Sequence, residues 1–505
     1  MRNWQEVSFD KIKFDASSIK EYKDSELTYI PFTAGGSFRR WYGNLYSVVN
    51  WTDTSKMHRP RTTYSDLYCK KGVTWNEVTS DSFSCRIYPK GLLFEHSGVS
   101  LFPDQESKIN LYAGFLNTKV LSYYLRLLNP TLHNGAEVVA KVPFIVNQSD
   151  DIDKMVKANI CITKSDWDTH ETSWDFKINE LVKLSGMITV ELEGEIGGPS
   201  IVDDSLDLIV RHYKAIWGSY FKELHANEEE LNRQFIEIYG LQDELSPDVP
   251  LNEITILQQG ELSIENNQIV WHNDVLMKQL ISYAIGCWMG RYRLDKPGLW
   301  IAHPNASDEE ICTYDYHGQQ FEIDDDGIIP LLSQYSNFPD NGYKRVEDFL
   351  RIAFGEDTLT ENINFVQEAL GMTIEKYMQK EFWKYHKKMY QNRPIYWLFS
   401  SKKGAFQCLA YMHRMNAYTV EQIRSKYLLP HIEWLKNRIT EMESRASSLK
   451  TNERRVKEQM QKDLTECLEY HDSLHLVADQ QISSDLDEGV VVNYAKFGNV
   501  LQKIK

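Results

Sequence analysis

No run of 18 consecutive apolar residues occurs in the 505-residue chain, and the opening MRNWQEVSFDKIKF has no apolar stretch behind its early arginine. A membrane span and a secretory leader are therefore not expected, which points to a cytoplasmic protein with no membrane partner. Cysteine is sparse: Cys69, Cys85, Cys161, Cys287, Cys312, Cys408 and Cys467 are seven in number and form no CxxC pair. An odd, scattered set fits neither a disulfide framework nor a zinc ribbon, so packed, reduced thiols are expected. Phosphate-cradling glycine loops are missing as well. Neither GxGxxG nor GxxxxGK[ST] is present, and the nearest strings, Ala34-Gly35-Gly36 and Glu195-Ile196-Gly197-Gly198, read as turns. A GxSxG nucleophile elbow is absent too.

Positive charge is in deficit, with 56 Lys and Arg against 72 Asp and Glu, a net of −16. That balance excludes a uniformly basic nucleic-acid binder. It does not exclude a local basic surface, because residues 381–460 hold 16 Lys and Arg against 7 Asp and Glu, a local +9. Only charges within about 8–10 Å set the potential that a phosphate meets.

Length implies two to four packed units, and a mean hydropathy of −0.47 is that of an ordinary globular chain. Between residues 27 and 105, short Tyr-, Phe-, Val- and Trp-rich runs are punctuated by Gly, Pro, Asn and Asp, which predicts antiparallel strands joined by turns. NLYAGFLNTKVLSYYLRLLN (110–129) predicts a helix with Leu116, Val120, Tyr123 or Tyr124, and Leu127 on one face, ended at Asn129-Pro130, and VPFIV (142–146) predicts a last strand or an exit segment. Phe221, Leu224, Leu231, Phe235 and Ile238 predict an amphipathic helix with an acidic outer face, stopped at Gly240. Helices should dominate beyond Val346.

Residues 432–474 hold the sharpest periodicity. Ile432, Ile439, Ala446, Met460, Cys467 and Leu474 fall at heptad position a, Leu435, Met442, Leu449, Val456 and Tyr470 at d, and only Glu453 at a and Asp463 at d interrupt the pattern. As one helix this stretch would span about 65 Å, which predicts a two-stranded coiled coil or a long helical hairpin. The expected fold class is α+β: a β-rich domain over 1–180, a helical connector over 181–250, a mixed but mostly helical domain over 251–430, the long helix over 431–476 and a C-terminal segment over 477–505.

Three strings invite a chemical reading. His471 and His475 in HDSLH have the spacing of a helical metal pair, but no third ligand is identifiable and packing in the heptad stretch is expected. Asp324-Asp325-Asp326 precedes Gly327, which predicts a solvated turn. GGSFRRWYGN (35–44) combines the forks of Arg39 and Arg40 with the flat faces of Trp41 and Tyr42. Arg59, Arg61, Lys70 and Lys71 follow. Guanidinium forks suit phosphates and guanine edges, and aromatic faces stack or pack against sugar.

Several blocks in order, among them FTAGGSFRRWYGNLYSVVNW, GFLNTKVLSYYLRLLNPTL, KSDWDTHETSWDF, GRYRLDKPGLW, RPIYWLFSSKKGAFQCLAYMHR and LDEGVVVNYAKFG, resemble the C-terminal part of the PglX-type adenine-specific DNA methyltransferases of BREX phage-defence systems. The resemblance runs over nearly the whole chain. It implies that the block from Phe32 is a target-recognition domain that positions double-stranded DNA while a catalytic domain extrudes one adenine. The family's methyltransferase portion needs a glycine loop for S-adenosylmethionine and an [N/D]-P-P-[Y/F] loop for the adenine. Asn129-Pro130-Thr131-Leu132 and Asn392-Arg393-Pro394-Ile395 are the nearest strings to the latter, and both lack the second proline and the aromatic. The resemblance thus implies a truncated, split or separately encoded specificity half. S-adenosylmethionine and the catalytic residues would sit on a methyltransferase domain or subunit outside this chain, with other BREX proteins as further partners. Arg39, Arg40, Trp41, Tyr42, Arg59, Arg61, Lys70 and Lys71 are the expected DNA-binding residues. A protein-interaction scaffold that touches DNA only weakly is the competing expectation.

Overall fold

A computed structural model describes residues 1–52, 54–56, 63–79, 82–95, 97–129, 131–145, 150–187, 189–190, 201–202, 204–333, 336 and 338–504. The fold is mixed α+β, with helix predominating and the strands gathered in several small sheets. Two compact units divide the chain. Met1–Trp4, Lys11–Phe176 and Arg211–His272 make the first, and Gln5–Asp10, Lys177–Val210 and Asn273–Lys505 make the second.

In the first unit, strands β1 (Arg2–Asn3), β2 (Tyr29–Thr33), β3 (Ser47–Asn50), β4 (Gly72–Asn76), β5 (Cys85–Tyr88), β6 (Leu93–Phe94) and β7 (Gly98–Leu101) form two sheets. One runs β1-β3-β2-β6, antiparallel except for the β2–β6 pair, and the other is an antiparallel β5-β4-β7. The alternation of aromatic and β-branched residues that predicted these strands supplies the core under the first sheet, where Ile30, Phe32, Val49 and Trp51 pack with Tyr22 of helix α1 (Ile19–Asp24).

The single helix predicted over 110–129 is two helices, α2 (Ile109–Leu116) and α3 (Lys119–Leu128). The physical reason is Asn117. Its side-chain oxygen accepts the N–H of Cys85 at 2.9 Å and its amide donates to the Cys85 carbonyl at 3.1 Å, which ties the chain to β5 at the point where the helix would have continued. The first N–H of α3 is taken up by the Asn232 side chain at 2.9 Å. Rotating α3 in this way buries Val120, Leu121 and Leu125 and leaves Leu127 exposed, contrary to the expected face. The strand expected over 142–146 does not form among its described residues.

Helices α4 (Ala136–Val139) and α5 (Asp150–Asp168) follow, and Gly114 of α2 lies against α5. A Cβ at Gly114 would stand 3.0 Å from the Val156 methyl, so glycine permits this close approach. Helix α6 (Glu180–Leu184) and a two-residue pair, β8 (Thr189–Val190) with β9 (Ile201–Val202), come next in the chain. Helix α7 (Leu206–Tyr239) then confirms the amphipathic periodicity and stops at Gly240, which adopts the left-handed φ of 65° expected of a helix terminator. The hairpin β10 (Leu262–Glu265) with β11 (Gln268–Trp271) ends the unit.

The second unit begins its main run with α8 (Asn273–Trp288), apolar nearly all round and buried to match. The hairpin of β12 (Thr313–Tyr316) and β13 (Gln319–Glu322) precedes a three-stranded antiparallel sheet whose order is β14 (Ile328–Pro330), β16 (Gln407–Tyr411), β15 (Tyr396–Ser400). All five residues of β15 are buried, because both faces of the sheet are covered. Between β14 and β15 the chain forms α9 (Gly342–Phe354), α10 (Leu359–Leu370), α11 (Ile374–Tyr377) and α12 (Trp383–Met389), and α13 (Thr419–Gln422) follows β16.

The heptad stretch is a helical hairpin rather than one rod: α14 (Leu429–Ser444) turns at residues 445–450 into α15 (Thr451–Ala478). Glu453, one of the two interruptions in the pattern, is the reason for the new start. Its carboxylate accepts the Lys450 backbone N–H at 2.8 Å, as an acidic residue at the third position of a helix does in a capping box. Within each arm the seam holds. Ile432, Leu435, Ile439 and Met442 are buried on α14, and Met460, Cys467, Tyr470 and Leu474 on α15, while Val456 is 40% exposed. Helix α16 (Gly489–Lys496) closes the chain, its Tyr494 ring 5.2 Å from that of Trp397.

Candidate nucleic-acid interface

The basic-aromatic run lies between β2 and β3, and its first residues are the accessible ones. Gly36 and Ser37 are exposed at a loop tip held against the end of β4, where Asn76 accepts the Gly36 N–H at 3.1 Å and donates to its carbonyl at 2.7 Å. Beyond the tip the run turns inward. Arg39 and Arg40 are 4% and 6% exposed, and Trp41 and Tyr42 are 1% and 5%.

The two guanidinium groups leave the backbone in different directions, as adjacent residues of an extended segment must. Arg39 pairs with Asp166 of α5 at 2.6 Å, donates to the Tyr42 carbonyl at 2.7 Å and lies 5.0 Å over the Trp167 ring. Gly43, with φ 127°, makes room for it: a Cβ there would sit 2.4 Å from the Arg39 Nε. Arg40 pairs with Glu228 of α7 and with Glu253, both at 2.6 Å. Burial by itself lowers the Arg40 pKa, and the two carboxylates outweigh it, so the group is held above its ordinary range.

Trp41 adopts φ 68°, a left-handed conformation that is uncommon for a bulky side chain. Its backbone N–H donates to the Cys85 carbonyl at 2.9 Å and its own carbonyl accepts from Ile87 at 2.8 Å. Its indole N–H reaches Glu228 at 2.7 Å. Tyr42 packs with Leu45, Tyr88, Leu92 and Trp167, and burial pushes its hydroxyl pKa up.

These placements leave the four side chains, expected to face DNA, almost wholly buried among protein partners. An acidic protein supplies two buried carboxylates, Asp166 and Glu228, and the partly exposed Glu253 to two buried arginines, and the run serves as an internal clamp between α5, α7 and the sheets of the first unit. Glu228, expected on an acidic outer face, is 5% exposed for the same reason. The sequence signal for Asp166, Glu228 and Glu253 was only their charge, since they lie 127 to 213 residues from their partners.

Lys70 is exposed and Lys71 half-buried in the turn before β4. Lys71 lines a cavity of about 530 Å³ with Glu106, Asn110, Asp153 and Lys157. Arg59 and Arg61 lie outside the described residues.

Both metal-like strings have protein partners, and the ligand atoms of Asp324, Asp325 and Asp326 lie within 4.8 Å of one another. His471 and His475 have ring centroids 6.2 Å apart, and His471 Nε2 is 3.2 Å from an Arg424 nitrogen. In the Asp324–Asp326 turn Asp324 is buried and ion-paired, while Asp325 is exposed as expected of a solvated turn. Asp324 accepts the Gly327 N–H at 2.8 Å and pairs with Arg345 at 3.0 Å, while Asp326 pairs with Lys426 at 3.0 Å. Burial, with Asp326 alongside, raises the Asp324 pKa to about 7.

An adenine-specific methyltransferase from Escherichia coli O9:H4 (strain HS), BrxX, is 32% identical over 532 residues, which take in 100% of this chain and 42% of that protein. The chain is homologous to the C-terminal part of these methyltransferases. A second relative, the adenine-specific methyltransferase PglX of Lacticaseibacillus casei (strain Zhang), is 32% identical over 527 residues, 98% of the chain and 41% of its own length. The chain thus spans less than half the length of the curated relatives it matches. No protein-family model matches it. Among the described residues, no helix is long and apolar enough to cross a membrane.

Proposed function

We propose that this chain is the DNA-recognition portion of a site-specific adenine-N6 methyltransferase that acts in a BREX anti-phage system. The observation that carries the reading is the homology with BrxX and PglX along the whole chain, joined to the absence of an adenine-gripping Pro-Pro loop from its sequence. In this reading S-adenosylmethionine binding and methyl transfer belong to a methyltransferase domain or subunit that this chain orients on duplex DNA, and other BREX proteins join the assembly.

Within the first unit the proposed contact surface is what remains accessible at the two ends of β4: Lys70 and Lys71 before it, and the Gly36–Ser37 tip against its last residue. Four residue steps along a strand separate the ends of β4 by about 13 Å. Arg59 and Arg61 stay in the proposal on sequence grounds. Arg39, Arg40, Trp41 and Tyr42 act by holding this surface in place, not by touching DNA.

The test is duplex binding by the chain alone and together with its methyltransferase portion, over a salt series, with specific and random sequences. Affinity that falls as salt rises and a preference for one sequence in the complex support the reading. Methyl transfer to adenine by the chain alone overturns it. A scaffold role is the second reading, favoured by the burial of the four strongest candidate residues and by the charge of −16. Binding to the methyltransferase portion without any effect on its DNA affinity or specificity would establish that reading instead.

A further inference from the structure

A concave site with unsatisfied polar chemistry lies within the second unit. A cavity of about 860 Å³ opens between the α14–α15 hairpin and the β15–β16 turn. This is within the size range of small-molecule sites. Its floor is apolar, from Leu332, Leu435 and Met460, with the half-buried Trp434 offering an aromatic face.

Four exposed lysines stand around it: Lys380, Lys402 and Lys403, and Lys462 on α15. None has an ion-pair partner within 4.0 Å among the described residues, whereas Lys384, Arg424, Lys426 and Lys457 of the same unit do. The acids on the same rim are committed or muted. Glu466 accepts the backbone N–H of Lys403 at 2.6 Å and of Ala405 at 3.4 Å, which fixes the turn that presents Lys402 and Lys403. Asp463 accepts the Gln459 amide at 2.8 Å, and burial raises its pKa. Glu469 is the remaining acid.

At the base of the cavity is His431, 4% exposed, its ring stacked on Trp434 at 5.8 Å and 11°. Burial pulls its pKa down to about 4, so the imidazole is neutral at physiological pH, and its ring hydrogen-bonds the Ala405 carbonyl. Nδ1 has no hydrogen-bond partner. A neutral imidazole carries one lone pair, and in the tautomer protonated at Nε2 the unpartnered Nδ1 is an acceptor for a ligand N–H. A buried acceptor without a donor is destabilising, and a ligand N–H would supply the missing donor.

We infer that this cavity binds a nucleoside polyphosphate whose base carries an exocyclic amine, the base lying on Trp434 with its amine toward His431 Nδ1 and the phosphates among Lys402, Lys403 and Lys462. An aromatic face, one acceptor at its edge and a cluster of unpaired ammonium groups are the three parts that such a ligand needs. One aromatic face suits a single base better than a strand, along which successive bases each need a platform. The inference goes beyond the DNA-recognition reading and does not depend on it.

The experiment is calorimetric titration of the whole chain with ATP, UTP, adenosine, inorganic tripolyphosphate and a twelve-residue oligothymidylate. ATP should bind one to one, at least tenfold tighter than adenosine or tripolyphosphate alone, and tighter than UTP, which lacks the amine. The double variant Lys402→Glu/Lys403→Glu should lose at least tenfold in ATP affinity. Trp434→Ala should weaken ATP without changing tripolyphosphate, and Trp434→Phe, which keeps a stacking face, should retain it. Circular dichroism of each variant establishes that it folds. No ATP binding at millimolar concentration, equal affinity for ATP and UTP, or ATP affinity unchanged in the lysine variant overturns the proposal. Oligothymidylate that binds more tightly than ATP and displaces it makes the cavity a strand site and also overturns it. Duplex binding by the same lysine variant separates the two readings, since the surface at β4 is untouched.

Discussion

Trp41 and Arg40 share one carboxylate: the Trp41 indole N–H donates to one oxygen of Glu228 at 2.7 Å and Arg40 pairs with the other at 2.6 Å. Glu228 is buried, so removing it leaves a buried guanidinium with only the partly exposed Glu253 and a buried indole N–H with no acceptor. Breaking a buried pair of this kind costs about 3–5 kcal/mol. Glu228→Ala should therefore lower the unfolding midpoint in urea strongly, and Arg40→Ala should do the same. The double variant should cost less than the sum of the two, because each single change already strands the other partner. Unchanged midpoints in both single variants would mean that Arg40 faces solvent, and would restore it as a DNA contact.

Lys70 and Lys71 give the complementary result. Lys70→Glu/Lys71→Glu should leave the melting temperature nearly unchanged, since surface substitutions usually stay within about 0.5 kcal/mol. If each contacts a phosphate, random and specific duplex weaken alike, and the slope of affinity against salt falls by about one unit per lost contact. Duplex binding by the methyltransferase complex that is identical to the parent's across the salt series removes both residues from the interface.

How much was legible in the sequence depended on the range of the interaction that decided each feature. Strands β2 to β7 and helix α7, with its Gly240 stop, follow from local alternation and periodicity, which sequence displays directly. The break between α2 and α3 does not, because Asn117 is spent on Cys85, 32 residues away. Glu453 was visible as a fault in the heptad pattern, and its meaning as a helix start follows from the same local rule that defines a capping box. The site fared worst. Two arginines beside two aromatics carry the same signature whether they meet phosphate or Asp166, Glu228 and Glu253, and pairing across more than 100 residues leaves no trace in spacing.

A pH dependence is built into the first unit at His170, whose Nε2 lies 2.6 Å from the buried Glu261. Burial lowers the imidazole pKa, and the attraction and hydrogen bond of Glu261, with Asp166 nearby, more than reverse this against the opposing charge of Arg39. The folded-state pKa is thus above the unfolded value near 6.5. A raised pKa means that the folded chain binds the proton more tightly, so the stabilisation is fully present below about 6.5 and is lost as pH rises through the folded value. Comparing the parent with His170→Gln by thermal melts cancels the groups they share. The gap in melting temperature should be widest at acid pH and narrow toward alkaline pH. A gap that widens as pH rises contradicts the sign.

The hairpin in the second unit separates two residues that share one heptad position. Leu449 and Val456 both occupy d, yet Leu449 is 7% exposed at the turn and Val456 is 40% exposed on α15. A continuous two-stranded seam would bury both, and a charge at either would then destabilise by several kcal/mol. In the hairpin only Leu449→Asp puts a charge in an apolar site, so it should lower the melting temperature markedly, whereas Val456→Asp should stay within about 0.5 kcal/mol of the parent. Glu453→Ala should fall between them, at about 0.5–2 kcal/mol, because it removes the acceptor of the Lys450 N–H that starts α15. Thermal melts and helicity by circular dichroism measure all three. Equal losses at Leu449 and Val456, with Glu453→Ala neutral or stabilising, would describe a single uninterrupted helix and remove the turn at 445–450.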